Sequence, residues 1–209
     1  RQLADGLGTG LVGITVGSAS AGTSLAKKGA LSRGLDRAVI VADDSTRGWV
    51  PTKVGSALAG LVKRVGDVDL VLTGDASVDE GAQLMPTIIA GHLGWPCFLA
   101  VTSVTKTGDG WQLVQAHEGG TRTVAVAGPV VVAVATDATE PKTPGMKDIL
   151  AAGKKPSEQV AVADLEIADV DLDITAYTRP AAKARKNELF AGEEAPAQLI
   201  AALRSAGVI

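Results

Sequence analysis

Residue types that carry most enzyme chemistry are scarce in this sequence. Among 209 residues there is one cysteine, Cys97, and there are two histidines, His92 and His117. A single cysteine excludes an internal disulfide and a multi-cysteine metal site, and it is typical of proteins in a reducing cytoplasm. We expect an inert thiol within a strand and two surface histidines, and therefore no catalytic residue and no metal site.

Catalytic sequence motifs are missing as well. The sequence has no Gly-x-Ser-x-Gly elbow, no phosphate loop ending in Gly-Lys-Ser/Thr, and no metal-ligand spacing of His, Asp or Glu. A hydrolase or transferase is thus the weakest interpretation, because both a nucleophile and a base are lacking.

Charge and hydropathy argue against two further classes. Lys and Arg number 20 against 23 Asp and Glu, so the formal charge is −3, without the basic excess typical of proteins that bind nucleic acid. No uninterrupted run of about 18 apolar residues occurs, so no insertion into a membrane is predicted.

The abundant residues predict the fold class. Apolar residues make up 46% of the chain, and short runs of small aliphatic residues are typical of parallel strands covered by helices on both faces. Their order, β-α-β-α-β-α-β, predicts an α/β fold with a parallel sheet and right-handed crossovers. The predicted strands are 11–16, 38–41, 69–73 and 95–101, and the predicted helices are 21–33, 51–65 and 84–93. In the first helix we expect Leu25 and Leu31 to face inward.

The pattern changes after these elements. Residues 111–116 and 121–126 flank a Glu-Gly-Gly turn, which predicts an added hairpin, and 130–135 is an apolar strand expected to return to the sheet. We therefore assign residues 1–135 to an α/β domain and 136–209 to an extended C-terminal arm. The opening residues resemble the end of a helix, so we expect the chain to begin inside a longer one, without the first strand of the domain.

The arm has too few apolar residues to form a core of its own. Its large apolar side chains would be exposed in a free tail, so we favour an arm that lies on another protein. These side chains are Ile174, Tyr177, Leu189, Phe190, Leu199, Ile200 and Leu203, the last three within a helix predicted over 196–205.

One strand-to-helix loop is a candidate ligand site. Residues Gly74 to Gln83 follow the carboxyl end of a predicted strand, the edge where open parallel sheets bind ligands. Gly81 and Ala82 allow a close approach to the backbone, and free N–H groups at a helix start attract phosphate. Gly17 to Ala19 forms a second small-residue edge. Many such loops bind nothing, so the pattern alone leaves both interpretations open.

Four segments, in order, carry a more specific pattern. Residues 30–37 read Ala-Leu-Ser-Arg-Gly-Leu-Asp-Arg; residues 69–83 are followed by Leu-Gly-Trp-Pro at 93–96; residues 139–142 read Thr-Glu-Pro-Lys; and 149–156 is a Lys-rich segment ending in Pro. Over nearly the whole chain they resemble the small (beta) subunit of electron-transfer flavoproteins. The counterparts there are Ala-Leu-x-Met-Gly-Ala-Asp-Arg, the nucleotide loop, Asn-Glu-Pro-Arg and Ile-Met-Lys-Ala-Lys-Lys-Lys-Pro.

The resemblance implies an adenine-nucleotide-binding domain of the HUP/Rossmann-like type and an electron carrier that is not catalytic by itself. It implies a heterodimer with a larger alpha subunit that holds FAD, and a structural AMP, or a second FAD, in this chain. Electrons would pass from an acyl-CoA or related dehydrogenase, as in fatty acid oxidation, to a quinone oxidoreductase or another acceptor. We expect a cytoplasmic location in a bacterium, in agreement with the single cysteine.

Carried over by position, the resemblance implies two sets of site residues. The nucleotide set is Gly17, Ala19, Gly74, Ser77, Asp79, Gly81, Ala82, Gln83 and Leu84, with the Gln83 side chain and the amides of Ala82 and Leu84 at the phosphate. The docking set is Glu140, Pro141, Met146 and Ile149, in which Met146 takes the place of an apolar residue that enters a pocket of the dehydrogenase.

A second interpretation remains at this point. A stand-alone adenine-nucleotide-binding module of the universal-stress-protein type has the same α/β architecture. It predicts a homodimer with an ordered nucleotide and no flavoprotein partner, and it has no use for the arm after Ala135.

Overall fold

Alternating strands and helices make up the chain in a computed structural model, which describes residues 1–169, 172, 175–182, 184 and 187–209. The helices are α1 (Gln2–Leu7), α2 (Ser24–Leu31), α3 (Pro51–Val65), α4 (Met85–Leu93), α5 (Met146–Ala152) and α6 (Ala195–Ser205). The strands are β1 (Val12–Gly17), β2 (Arg37–Ala42), β3 (Leu70–Gly74), β4 (Cys97–Thr107), β5 (Gly110–His117), β6 (Gly120–Ala127), β7 (Val130–Val134) and β8 (Ser157–Gln159).

The described strands form two hydrogen-bonded sheets. The first has the order β1-β2-β8 and is parallel throughout. The second has the order β3-β7-β4-β5-β6, in which β3, β7 and β4 are parallel and β4, β5 and β6 form an antiparallel meander. The α/β fold with a mostly parallel sheet, the added hairpin and the return of the 130–135 segment are thereby confirmed.

Helix α3 packs against residues of both sheets. Pro51 stands in its first turn, and Gly66, with a φ of 68°, follows its last residue, as helix-start and helix-stop preferences require. Ala59 and Val62 belong to one buried cluster with Val71 of β3, whereas Leu61 belongs to another with β2. Leu61 is fully buried, which contributes about 1.5–3 kcal/mol.

The prediction that Leu25 faces inward is wrong. Leu31 is buried in the cluster that α2 shares with β2, whereas the Leu25 side chain is 84% exposed. At about 100° per residue, a spacing of six residues places two side chains on different faces of a helix. Only one of these leucines can therefore point at the sheet.

The first compact unit extends from Arg1 to Leu172, and the second from Asp173 to Ile209. Residues 136–172, assigned to the arm from sequence, thus belong to the first unit: β8 pairs with β2, and Ala152 of α5 is buried in the α2 cluster. Strand β8 has only three residues, all exposed, so it carries no apolar alternation by which its sequence could reveal it.

Lys155, just after α5, ties this segment to α2. Its Nζ donates hydrogen bonds to the carbonyl oxygens of Leu31, at 3.0 Å, and Leu35, at 2.5 Å. These carbonyls lie at and just beyond the end of α2, where carbonyl groups lack partners within the helix. The ammonium group gives the Leu35 carbonyl its donor and adds a second donor to the Leu31 carbonyl, which also accepts from the N–H of Gly34 at 3.4 Å.

The second unit contains α6, close to the predicted 196–205 helix. Tyr177 and Leu189 are 90% and 89% exposed, and Leu199 and Ile200 are about half exposed. Ile174 lies outside the described residues. That these side chains lie on another protein stays a prediction. None of the described helices has the length and apolar character needed to cross a bilayer.

Candidate functional site

The candidate nucleotide loop, residues Gly74 to Leu84, connects the carboxyl end of β3 to the start of α4. Gly74 is paired in register with Val134 at the end of β7, and Gly17 ends β1 opposite Ala42 of β2. Each loop therefore leaves the carboxyl edge of its own parallel sheet, which is the edge where such sheets bind ligands.

Hydrogen bonds within the loop hold its first half in a tight turn. The N–H of Gly81 donates to the carbonyl of Ser77 at 3.0 Å, and Gly81 has a φ of 60°, a conformation that favours glycine. The N–H of Glu80 donates to Ser77 Oγ at 3.3 Å and to Asp79 Oδ1 at 3.0 Å. The turn brings together the predicted residues Ser77, Asp79 and Gly81.

Asp79 is fully exposed and stays ionised. The hydroxyl of Ser77, followed by the backbone N–H groups of Asp79 and Glu80, lowers the pKa of the Asp79 carboxyl below its ordinary value. Each of these donors favours the charged form. Asp79 therefore presents a carboxylate, an acceptor suited to hydroxyl groups and unsuited to phosphate.

Backbone donors collect in the second half of the loop. The amides of Ala82, Gln83 and Leu84 donate no hydrogen bond within the described residues, and α4 has no side-chain cap. Gln83 has a φ of 53°. Successive free N–H groups in such a conformation, placed at a helix start, form a concave site with a positive potential.

Asp75, which the sequence analysis missed, organises the same loop. Its Oδ2 accepts a hydrogen bond from Gln83 Nε2 at 2.8 Å, and its Oδ1 accepts one from the N–H of Ala100 at 3.1 Å. The side chain of Gln83 is thus directed at Asp75, and its assignment to a phosphate stays a prediction. The available signal was an acid directly after a strand, at the edge where ligands bind.

The second small-residue edge is bound to the end of β2. The carbonyl of Gly17 accepts a hydrogen bond from the N–H of Asp43 at 3.0 Å, and the N–H of Ala19 donates to Asp44 Oδ1 at 3.1 Å. Among the residues described in the first unit, no hydrogen bond joins this edge to the candidate nucleotide loop. The roles predicted for Gly17 and Ala19 stay predictions.

The predicted docking residues lie on and before α5. Asp148 Oδ2 accepts a hydrogen bond from the N–H of Gly145 at 2.9 Å and so fixes the helix start. Met146 and Ile149 are 73% and 43% exposed, and Leu150, which the sequence analysis missed, is 69% exposed. We call these three residues the α5 patch. The spacing of Leu150 from Met146, one helical turn, was the available signal.

Glu140 and Pro141 lie in the segment before α5. Both are exposed, and both line a cavity of about 550 Å³ together with Leu72 of β3 and Val134 of β7. The structure thus brings Met146 and Ile149 together on one helix and sets Glu140 and Pro141 beside the sheet. Their predicted role in docking stays a prediction.

Cys97, His92 and His117, the residue types scarce in the sequence, lie on three different elements, β4, α4 and β5. Cys97 is half-buried in β4, and burial raises the pKa of its thiol. His92 and His117 are both exposed. Among the residues that the structure describes, no three His, Cys, Asp or Glu side chains come together as metal ligands.

The fold and the loop together define an α/β protein with a candidate nucleotide site at the carboxyl edge of a parallel sheet. The family model of the electron transfer flavoprotein domain matches residues 1–165. The chain belongs to the electron transfer flavoprotein family, and the resemblance stated from the sequence is thereby confirmed. Proteins of this family are flavin-associated electron carriers and not catalysts.

Proposed function

We propose that this chain is the beta subunit of an electron-transfer flavoprotein. Its role is to scaffold a larger, FAD-carrying alpha subunit, to hold a structural AMP and to dock an electron-donating dehydrogenase. The observation that carries the proposal is the row of three free amides before α4, in a chain whose first 165 residues match the family.

The residues of the loop fit an adenine nucleotide. The amides of Ala82, Gln83 and Leu84 donate to a phosphate, which needs several donors and a positive potential. Asp79, whose carboxylate is exposed and ionised, accepts hydrogen bonds from ribose hydroxyls. A second FAD in place of AMP would present the same ribose and phosphate groups to these residues, so the loop suits both nucleotides. Extraction of the nucleotide from the purified protein distinguishes them.

Redox chemistry belongs to the FAD of the partner, which accepts and releases the electrons when bound. This chain contributes the surface that positions the dehydrogenase. The α5 patch is anchored through Ala152 and Lys155 to α2 and leaves Met146 exposed. A flexible thioether suits a transient complex, because it fills an irregular pocket without requiring one precise shape. We propose that it docks an acyl-CoA or related dehydrogenase, and that a quinone oxidoreductase or another acceptor reoxidises the complex.

Co-expression with a candidate alpha subunit tests the heterodimer. We expect one yellow species of 1:1 stoichiometry on size-exclusion chromatography, a flavin absorbance spectrum, and AMP released on denaturation. A colourless homodimer that contains a nucleotide would instead support the stand-alone module of the universal-stress-protein type. Turnover of a substrate by this chain alone would contradict both.

Met146→Ala tests the docking surface. Truncation of a buried interface anchor costs more than about 1 kcal/mol, so flavin reduction by the dehydrogenase at subsaturating concentration should slow about five- to tenfold. Met146→Leu, which keeps the apolar volume, should retain most of the rate. Asp109→Ala, which removes an exposed side chain between β4 and β5, away from α5, is the control. Equal rates for the Met146→Ala protein and the wild type would refute the docking role.

A further inference from the structure

One peptide unit beside the candidate nucleotide loop is held by side chains at both ends. The carbonyl oxygen of Leu99 accepts a hydrogen bond from Gln115 Nε2 at 2.7 Å. The N–H of Ala100, which belongs to the same peptide unit, donates to Asp75 Oδ1 at 3.1 Å. Gln115 lies on β5 and Asp75 follows β3, so the peptide unit is bound from two different elements.

The strand is irregular at this point, and the irregularity explains why side chains are needed. In the pairing of β4 with β7, Phe98 is opposite Val132 but Val101 is opposite Val134, so β4 contains one extra residue. Ala100 has a φ of 52°, a conformation that costs a non-glycine residue energy. A bulge removes its peptide groups from the sheet ladder, and half-buried groups must then be paired in another way.

We call Asp75 and Gln115, which together hold the Leu99–Ala100 peptide unit, the clamp. Each of these two side chains has a second hydrogen-bond partner. Gln115 Oε1 accepts a hydrogen bond from Arg122 Nε of β6 at 2.7 Å. Asp75 Oδ2 accepts one from Gln83 Nε2 at 2.8 Å, and Gln83 is itself in a left-handed conformation with a φ of 53°. The carboxylate of Asp75 thus binds two residues whose backbones are strained, one in the β4 bulge and one among the free amides.

We propose that Asp75 and Gln115 are positioning residues of the candidate nucleotide site. Gln115 holds the Leu99–Ala100 peptide unit in one orientation, and this fixes the N–H of Ala100 that donates a hydrogen bond to Asp75. Asp75, held in this way, fixes the side chain of Gln83. The backbone of residues 82–84 therefore keeps one arrangement before the ligand arrives, which lowers the entropic cost of binding. The identity of the ligand, an adenine nucleotide, rests on the proposed function. The clamp itself rests only on the geometry of the hydrogen bonds.

Two measurements on the full chain test the clamp, the first without any nucleotide. Amide hydrogen exchange by NMR should show faster exchange at Ala100 in both Asp75→Ala and Gln115→Ala, and faster exchange at Gly81 in both. Gln115 is outside the loop, so an effect on Gly81 requires transmission through the peptide unit. Asp75→Asn keeps the acceptor oxygen and should restore protection at Ala100.

The second measurement is calorimetric titration with AMP. Loss of a charge-assisted hydrogen bond in Asp75→Ala should weaken binding about tenfold, and Gln115→Ala about threefold. The controls are Gln112→Ala, an exposed glutamine of the same strand, and Asp109→Ala, an exposed aspartate of the β4–β5 turn; both should bind AMP as the wild type does.

The outcomes separate the clamp from the proposed function. Wild-type exchange at Gly81 in the Gln115→Ala protein overturns the clamp, whether or not AMP binds. Wild-type AMP affinity in both variants also overturns it. A wild-type chain that binds no AMP overturns the nucleotide site instead, and the exchange data then decide the clamp by themselves.

Discussion

Ala100→Gly should stabilise the protein, which is unusual for an alanine within a strand. The φ of 52° at Ala100 costs a residue with a Cβ about 1–2 kcal/mol relative to glycine. Glycine loses about 0.5–1 kcal/mol more backbone entropy than alanine on folding. The difference between these ranges is about 0–1.5 kcal/mol, with a central value of about 0.75 kcal/mol in favour of glycine. The midpoint of thermal unfolding should therefore rise by about 2–3 °C in a chain of this size.

Tryptophan fluorescence is the appropriate assay, because all three tryptophans, Trp49, Trp95 and Trp111, lie in the first compact unit with Ala100. Ala125→Gly is the matched control: Ala125 is exposed in the regular part of β6, so glycine there should destabilise by about 0.5–1 kcal/mol. Ala100→Val should destabilise by more than about 1 kcal/mol, because a β-branched residue tolerates this conformation poorly. The same sign for both glycine variants would refute the assignment of strain to Ala100.

Two further predictions concern other parts of the first unit. Lys155→Met leaves the half-buried carbonyl of Leu35 without a donor and removes one of the two donors to the carbonyl of Leu31. It should reduce the free energy of unfolding by about 1–3 kcal/mol. Lys154→Met, at an exposed neighbour, should change it by less than about 0.5 kcal/mol in the same urea titration. The carboxyl of Asp79 should titrate below its ordinary pKa of 3.8 by NMR, and Ser77→Ala should move that pKa upward. Because the folded-state pKa is lowered, any stability contributed by the Asp79 charge is present above the ordinary pKa and is lost as the pH falls through the lower one. An unchanged Asp79 titration in the Ser77→Ala protein would exclude the hydroxyl as the leading cause.

Local sequence patterns were sufficient for most elements of the α/β unit. Helix α3 has a proline in its first turn, a glycine after its end and apolar residues at helical spacing, and all three signals act within a few residues. The buried strands β2 and β7 were recognisable in the same way, because each is a continuous apolar run within a few residues. The loop after β3 was also recognisable, because small turn residues and a family-specific order of motifs mark it.

What only the tertiary structure decided is pairing between distant residues. The insertion of β7 between β3 and β4, and the addition of β8 to β2, depend on which edges remain free once the other strands have packed. The meeting of Asp75 with Ala100, 25 residues later, depends on a bulge that no local preference predicts, because alanine has no intrinsic tendency toward a positive φ. Local propensity acts over one helical turn or one strand, so it determined the elements and the composition of the loop. The carboxylate of Asp75, which binds Gln83 of the loop, meets the strained peptide unit of Ala100 only in the folded sheet.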